Sequence, residues 1–149
     1  MAEPQQNRSE NSKKEKSQEG KKQDKHGKHD FPNPKEMFKP EYVYGESNYH
    51  ELIDRIKRYT GYIAKRITSH QLRNIFNKVK KVKQPEELWK MEVQLAYLAG
   101  RNEANKDFRI FVDVLTNLIR NANSLERLSK FQEFLTAIVA YHKYNEKLP

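Results

Sequence analysis

The sequence predicts an all-α protein: a compact bundle of about five helices behind a disordered, charged N-terminal tail. Three observations carry this. Apolar residues recur at the spacing of a helix face in five successive stretches between Tyr49 and Asn145. No stretch alternates polar and apolar residues as a strand does. The stretches are separated by short runs that hold capping residues, Pro or Asn, where helices start and stop.

Residues 1–40 form the expected tail, and residues 41–149 the helical domain. The tail is rich in Lys, Glu, Gln, Asn, Ser and His, and before Phe31 its only hydrophobic side chains are Met1 and Ala2. Such a stretch cannot bury enough apolar surface to offset the entropy of ordering it. Pro32, Pro34 and Pro40 punctuate its end. Tyr42, Val43 and Tyr44, followed by Gly45, are expected to pack as an extended segment against the domain.

The first helix is expected from about Tyr49 to Arg66, capped by Ser47 or Asn48, with Tyr49, Leu52, Ile53, Ile56, Tyr59 and Ile63 on its apolar face. The second has the clearest start. Thr68-Ser69-His70-Gln71 fits a capping box, in which Thr68 and Gln71 satisfy each other's backbone N–H groups. Leu72, Ile75, Phe76, Val79 and Val82 then form one stripe, while Arg73, Asn77, Lys80 and Lys81 project from the far side. Pro85 suits the first position of the third helix, with Glu86 and Glu87 favourable in its first turn. Leu88, Met91, Leu95 and Leu98 make its stripe, and Trp89 and Val93 widen it. Ala96, Ala99 and Gly100 permit close approach of another backbone. The fourth helix spans about Ala104 to Asn121 on a stripe of Phe108, Phe111, Val112, Leu115, Leu118 and Ile119. Ser124 caps the fifth, which reaches about Asn145 with Leu125, Leu128, Phe131, Leu135, Ile138, Val139 and His142 facing inward. Short connections imply that neighbouring helices run antiparallel.

Composition narrows the function. The sequence has no Cys, which excludes disulfides, thiolate zinc sites and a Cys nucleophile. No apolar run approaches the ~20 residues of a membrane span, and the N-terminus lacks the apolar core of a signal peptide. A soluble cytoplasmic protein is expected, with no membrane partner. The formal net charge is +9, and it is unevenly placed. Residues 41–54 hold four acids and no Lys or Arg, residues 55–83 hold ten Lys/Arg and no acid, and residues 84–149 hold nine of each. A cationic block with no interspersed acid implies an anionic partner. Nucleic acid is the expected one, because Lys and Arg bound to a phosphate backbone release its counterions. Lys130 and Lys143 lie in the charge-balanced part and are expected to play no part in such binding. The N–H groups at the start of the second helix are expected to favour a phosphate.

The same residues offer little for catalysis. There is no glycine-rich phosphate loop, and no His pair has metal spacing within a helix. Glu103 and Asp107 pair naturally with nearby Arg101 and Lys106. His70 is expected to be an exposed first-turn residue, and His142 a satisfied core histidine. No catalytic residue, metal, cofactor or small-molecule substrate is expected.

Three segments together carry a resemblance: Thr68–Phe76 (TSHQLRNIF), Leu95–Arg101 (LAYLAGR) and Phe131–Tyr144 (FQEFLTAIVAYHKY). In that order they resemble the small helical subunit of type III-A CRISPR effector complexes, the Csm complexes. The resemblance covers roughly residues 65–145 and leaves out the tail. It implies a non-enzymatic protein of antiviral defence. Copies of such a subunit stack head to tail into an inner filament along the backbone subunit that holds the guide RNA, and the complex also contains a large subunit. Target RNA pairs with the guide in the groove between the filaments, which the small subunit's basic residues line. Arg73 and Arg101 lie inside the resembling segments, and Lys80 and Lys81 continue the helix of Arg73. Lys65, Arg66, Lys78 and Arg120 join the expected RNA-binding set on charge alone. The small subunit of type III-B complexes is the nearest similar family. Two other classes fit parts of the sequence: a free-standing DNA-binding regulator, with the first two helices as a helix-turn-helix, and an RNA-cleaving enzyme using His70.

Overall fold

The structure, a computed structural model, describes residues 31–45 and 48–146. Among these residues there are seven helices and no strand: α1 (Pro34–Met37), α2 (Pro40–Tyr44), α3 (Tyr49–Ile63), α4 (Ser69–Val79), α5 (Pro85–Arg101), α6 (Lys106–Arg120) and α7 (Leu125–Glu146). The five long helices are those the apolar periodicity predicts, with ends within a turn of those expected.

Local chemistry fixes each start. The Asn48 side chain accepts from the His50 N–H at 2.8 Å at the head of α3. The capping box of α4 forms as predicted: Gln71 N–H donates to Thr68 Oγ1 at 3.1 Å, and Thr68 N–H to Gln71 Oε1 at 2.9 Å. Before α5, the Glu87 carboxylate accepts from the N–H groups of Lys83 (2.7 Å) and Gln84 (3.2 Å). Those donors, Lys83 first, hold its carboxyl below the usual carboxylate range. Asn105 caps α6 through Phe108 N–H at 3.0 Å, and Ser124 caps α7 through Arg127 N–H at 3.1 Å.

The core gathers around α7, which packs against α2, α3, α4 and α5. Phe131, Leu135 and Ile138 of α7 are fully buried, as are Ile56 and Ile63 of α3 and Leu72 and Ile75 of α4. The α5–α6 hairpin is antiparallel, as short connections imply: Trp89, near the start of α5, donates its indole N–H to the carbonyl of Ala122 beyond the end of α6, at 3.1 Å. The α4–α7 pair is antiparallel too. Ser69 at the head of α4 donates to the Glu146 carboxylate at the end of α7 (2.7 Å), while Gln132, near its start, donates to the carbonyls of Val79 and Val82 (3.1 and 3.0 Å). By contrast, α3 and α7 are far apart in sequence and run parallel. Tyr49 and Glu133 line one groove near their starts, and the Asn145 amide donates to Thr60 Oγ1 at 2.9 Å near their ends.

The expected boundary between tail and domain is corrected. Residues 1–30 lie outside the described residues, but the compact unit begins at Asn33, not at residue 41. Asn33 caps α1 through Lys35 N–H at 3.0 Å, and Pro34 and Pro40 sit in the first turns of α1 and α2. Tyr42–Tyr44 is therefore helical rather than extended. Phe38, only 1% exposed, is the reason this segment folds. Its ring meets Tyr59 edge-on at 5.4 Å and Phe134 at 5.1 Å, and Tyr59 stacks on Phe111 at 6.2 Å. Tyr44 adds a buried bond, donating its hydroxyl to the Leu118 carbonyl at 2.7 Å, and burial raises its pKa far above the ordinary tyrosine value. At Gly45, which ends α2, any Cβ would run into the Glu41 carbonyl.

Four residues assigned to apolar stripes lie outside the core: Tyr49, Trp89, Val93 and Leu125 are all exposed.

Phe38 carries the docking of the whole N-terminal segment, so Phe38→Ala should lower stability by about 3–5 kcal/mol, as for other buried Phe truncations. Denaturant unfolding followed by circular dichroism measures this. An unchanged midpoint would show that residues 33–45 contribute nothing to the core.

Candidate nucleic-acid interface

The cationic block folds into the end of α3, the corner at residues 66–68, and α4. The corner sets where α4 begins. Asn105, while capping α6, also donates its amide to the Arg66 carbonyl at 2.8 Å. His142 of α7, 1% exposed, places Nε2 2.7 Å from the Ile67 carbonyl oxygen. A carbonyl accepts, so Nε2 carries a proton, and His142 is a satisfied core residue as expected. One turn further, the Gln71 amide donates to Asn102 Oδ1 at 3.1 Å and joins the start of α4 to the end of α5.

From this base α4 buries Leu72, Ile75 and Val79 and leaves Arg73, Asn77, Lys78 and Lys80 exposed, with Lys81 just beyond its end. Lys65 is exposed ahead of the corner. Among the described residues, none of Lys65, Arg73, Lys78, Lys80, Lys81 and Arg101 forms an ion pair. These cations do not form a single line. Arg73 shares a narrow cleft with Ser69, Val139, His142 and Lys143, on the flank of α4 that meets α7. Lys80 lies two turns along the same flank. Lys78 is two turns beyond Gln71 and so on the opposite flank. The ammonium of Lys80 rests 5.5 Å from the Phe76 ring centre, and the Arg101 guanidinium 5.8 Å from that of Tyr97.

Two of the expected residues have other partners. Arg66 lies over the Tyr62 ring at 4.2 Å, donates to the Tyr62 carbonyl at 2.7 Å and pairs with Asp107 at 3.6 Å. Arg120 makes a two-point pair with Glu92, Nε to Oε1 at 3.0 Å and Nη2 to Oε2 at 2.6 Å, which ties α6 to α5. The hydrogen bonds from Arg120 hold the Glu92 carboxyl below its usual range.

Two further expectations change. At the head of α4 the capping box takes up the N–H groups of Thr68 and Gln71 only, and the expected phosphate site has a competing anion beside it, the Glu146 carboxylate on Ser69 Oγ. Lys143, placed with the uninvolved residues by its position in the charge-balanced part, lies in the Arg73 cleft. Only its place beside His142 on the last helix's stripe hints at this in the sequence. Lys130 does play a structural part, donating to the Tyr44 carbonyl at 3.1 Å and pairing with Glu126 at 3.6 Å. His70 is exposed.

The arrangement is thus a helix with unpaired cations on both flanks, set on a rigid corner. It suits a polyanion held by charge rather than by a shaped pocket. Among the described residues no group of three His, Asp or Glu side chains is placed to hold a metal ion, and no helix is long and apolar enough to cross a membrane.

Comparison with known proteins gives one finding. The family model described as Csm2 Type III-A matches residues 46–147, a span that begins just after α2 and includes the corner, α4 and the Lys143 cleft. No curated protein and no solved structure matches the chain significantly.

The corner depends on a donor at position 142. His142→Leu should leave the Ile67 carbonyl buried and unpaired and cost about 1–3 kcal/mol. His142→Gln, which restores an N–H, should recover part of it. Denaturant unfolding of both variants tests this, and equal losses would show that the ring contributes through packing alone.

Proposed function

The chain belongs to the Csm2 Type III-A family, the small subunits of type III-A CRISPR complexes, and we propose that it acts there as a non-catalytic RNA-binding subunit in the cytoplasm. Copies of it form the inner filament alongside the backbone and large subunits, and its basic face lines the groove in which target RNA pairs with the guide RNA. The observation that supports this is the unpaired cationic face of α4. Arg73, Lys78, Lys80 and Lys81 stand clear of every carboxylate among the described residues, on a helix whose apolar side is fully used by the core. With Lys65 and Arg101, and with Lys143 in place of Arg66 and Arg120, they make the RNA-binding set. Phosphate contacts fix position and carry no sequence information, which suits a subunit that must accept whatever target the guide selects.

Replacing Arg73, Lys80 and Lys81 together by Ala should leave melting unchanged, because none of them packs in the core. Target-RNA capture by the assembled complex should weaken. The slope of log K against log salt should flatten by about 2, at roughly −0.7 per phosphate neutralised. Adding Lys143→Ala should weaken capture further. Arg120→Gln should loosen the α5–α6 hairpin and leave RNA affinity within about twofold. Filter binding at several salt concentrations reads all three variants. A triple variant that binds like the parent would reduce the basic face to a solubilising one.

A further inference from the structure

Tyr97 has no role in the fold or in the charge-based reading. It is 65% exposed on α5, in the resembling segment LAYLAGR. Its ring presents an apolar face to solvent with a polar tip. Its surroundings are cationic or neutral: Arg101 is one turn ahead with its guanidinium 5.8 Å from the ring centre, Gln94 and Val93 lie one turn behind, and Lys90 two turns behind. The Gln71–Asn102 bond joins this end of α5 to the start of α4, the basic helix.

We infer that Tyr97 is a stacking platform for an unpaired nucleobase of the bound RNA, with Arg101 holding the adjoining phosphate. This rests on the RNA-binding reading above and deepens it, because charge alone engages only the backbone. An aromatic ring beside cations is the combination by which single strands are held without sequence preference, since every base offers a π-face. The positive neighbours favour a polyanion over an apolar protein surface as the ring's partner.

The test uses the full chain and two probes of equal length, a uridine oligoribonucleotide and an oligomer of abasic ribose phosphates. The parent should bind the uridine probe more tightly, and Tyr97→Ala should raise its Kd by at least about fivefold while leaving the abasic probe unchanged. Tyr97→Phe should stay within about twofold of the parent. Photocrosslinking of 4-thiouridine RNA should map to the peptide containing Tyr97. Equal parent affinity for the two probes overturns stacking and leaves electrostatic RNA binding standing. No binding of either probe overturns both. If Tyr97→Ala retains RNA affinity and the crosslink but loses self-association, the ring is a protein contact and the inference fails.

Discussion

Two backbone carbonyls, those of Arg66 and Ile67, decide where the basic helix lies. The Ile67 carbonyl is buried, and leaving such a group unpaired costs as much as several surface contacts return. Here the donors come from two other helices, Asn105 at the head of α6 and His142 near the end of α7. The corner between α3 and α4 is therefore shared among four helices. The direction of α4, and with it the placement of every cation on it, follows from a bond made by a residue 75 positions away.

Arginine and lysine divide the surface between them. The forked guanidinium of Arg120 matches the Glu92 carboxylate at two points, and Arg66 combines a ring, a carbonyl and Asp107. Both use directional chemistry to tie elements of the fold together. The exposed face of α4 carries mainly lysines, point charges on flexible stems that meet phosphates without a fixed geometry. A residue's charge says nothing about which of the two uses it serves; its distance to a carboxylate does.

What the sequence made legible was local. The capping box of α4, the Pro85 start and the Asn or Ser caps need only residues within a turn, and they form as read. The periodic faces of the five long helices were equally plain. Residues 33–44 were not, because a one-turn helix shows no periodicity and the partners of Phe38 lie on α3 and α7. Trp89 and Val93 were placed in the core because an apolar residue beside a stripe looks the same whether the neighbouring helix covers it or not. The block of ten basic residues was visible by counting, yet the carboxylates that engage Arg66 and Arg120 stand 41 and 28 positions from them. Lys143 was hidden in the same way, since only folding brings it to Arg73.

The helix at the centre of the core is also the last of the seven to be synthesised. At about 5–20 residues per second, several seconds separate the emergence of α3 from that of α7, the element it packs on most extensively. Through that interval Ile56, Ile63, Leu72 and Ile75 have no surface to cover them, and the cationic helix is present before the corner that orients it can close. A nascent chain of this kind carries exposed apolar faces and positive charge together on the ribosome, itself built largely of RNA. Truncation anywhere before Leu125 removes the helix on which α2, α3, α4 and α5, already made, would pack.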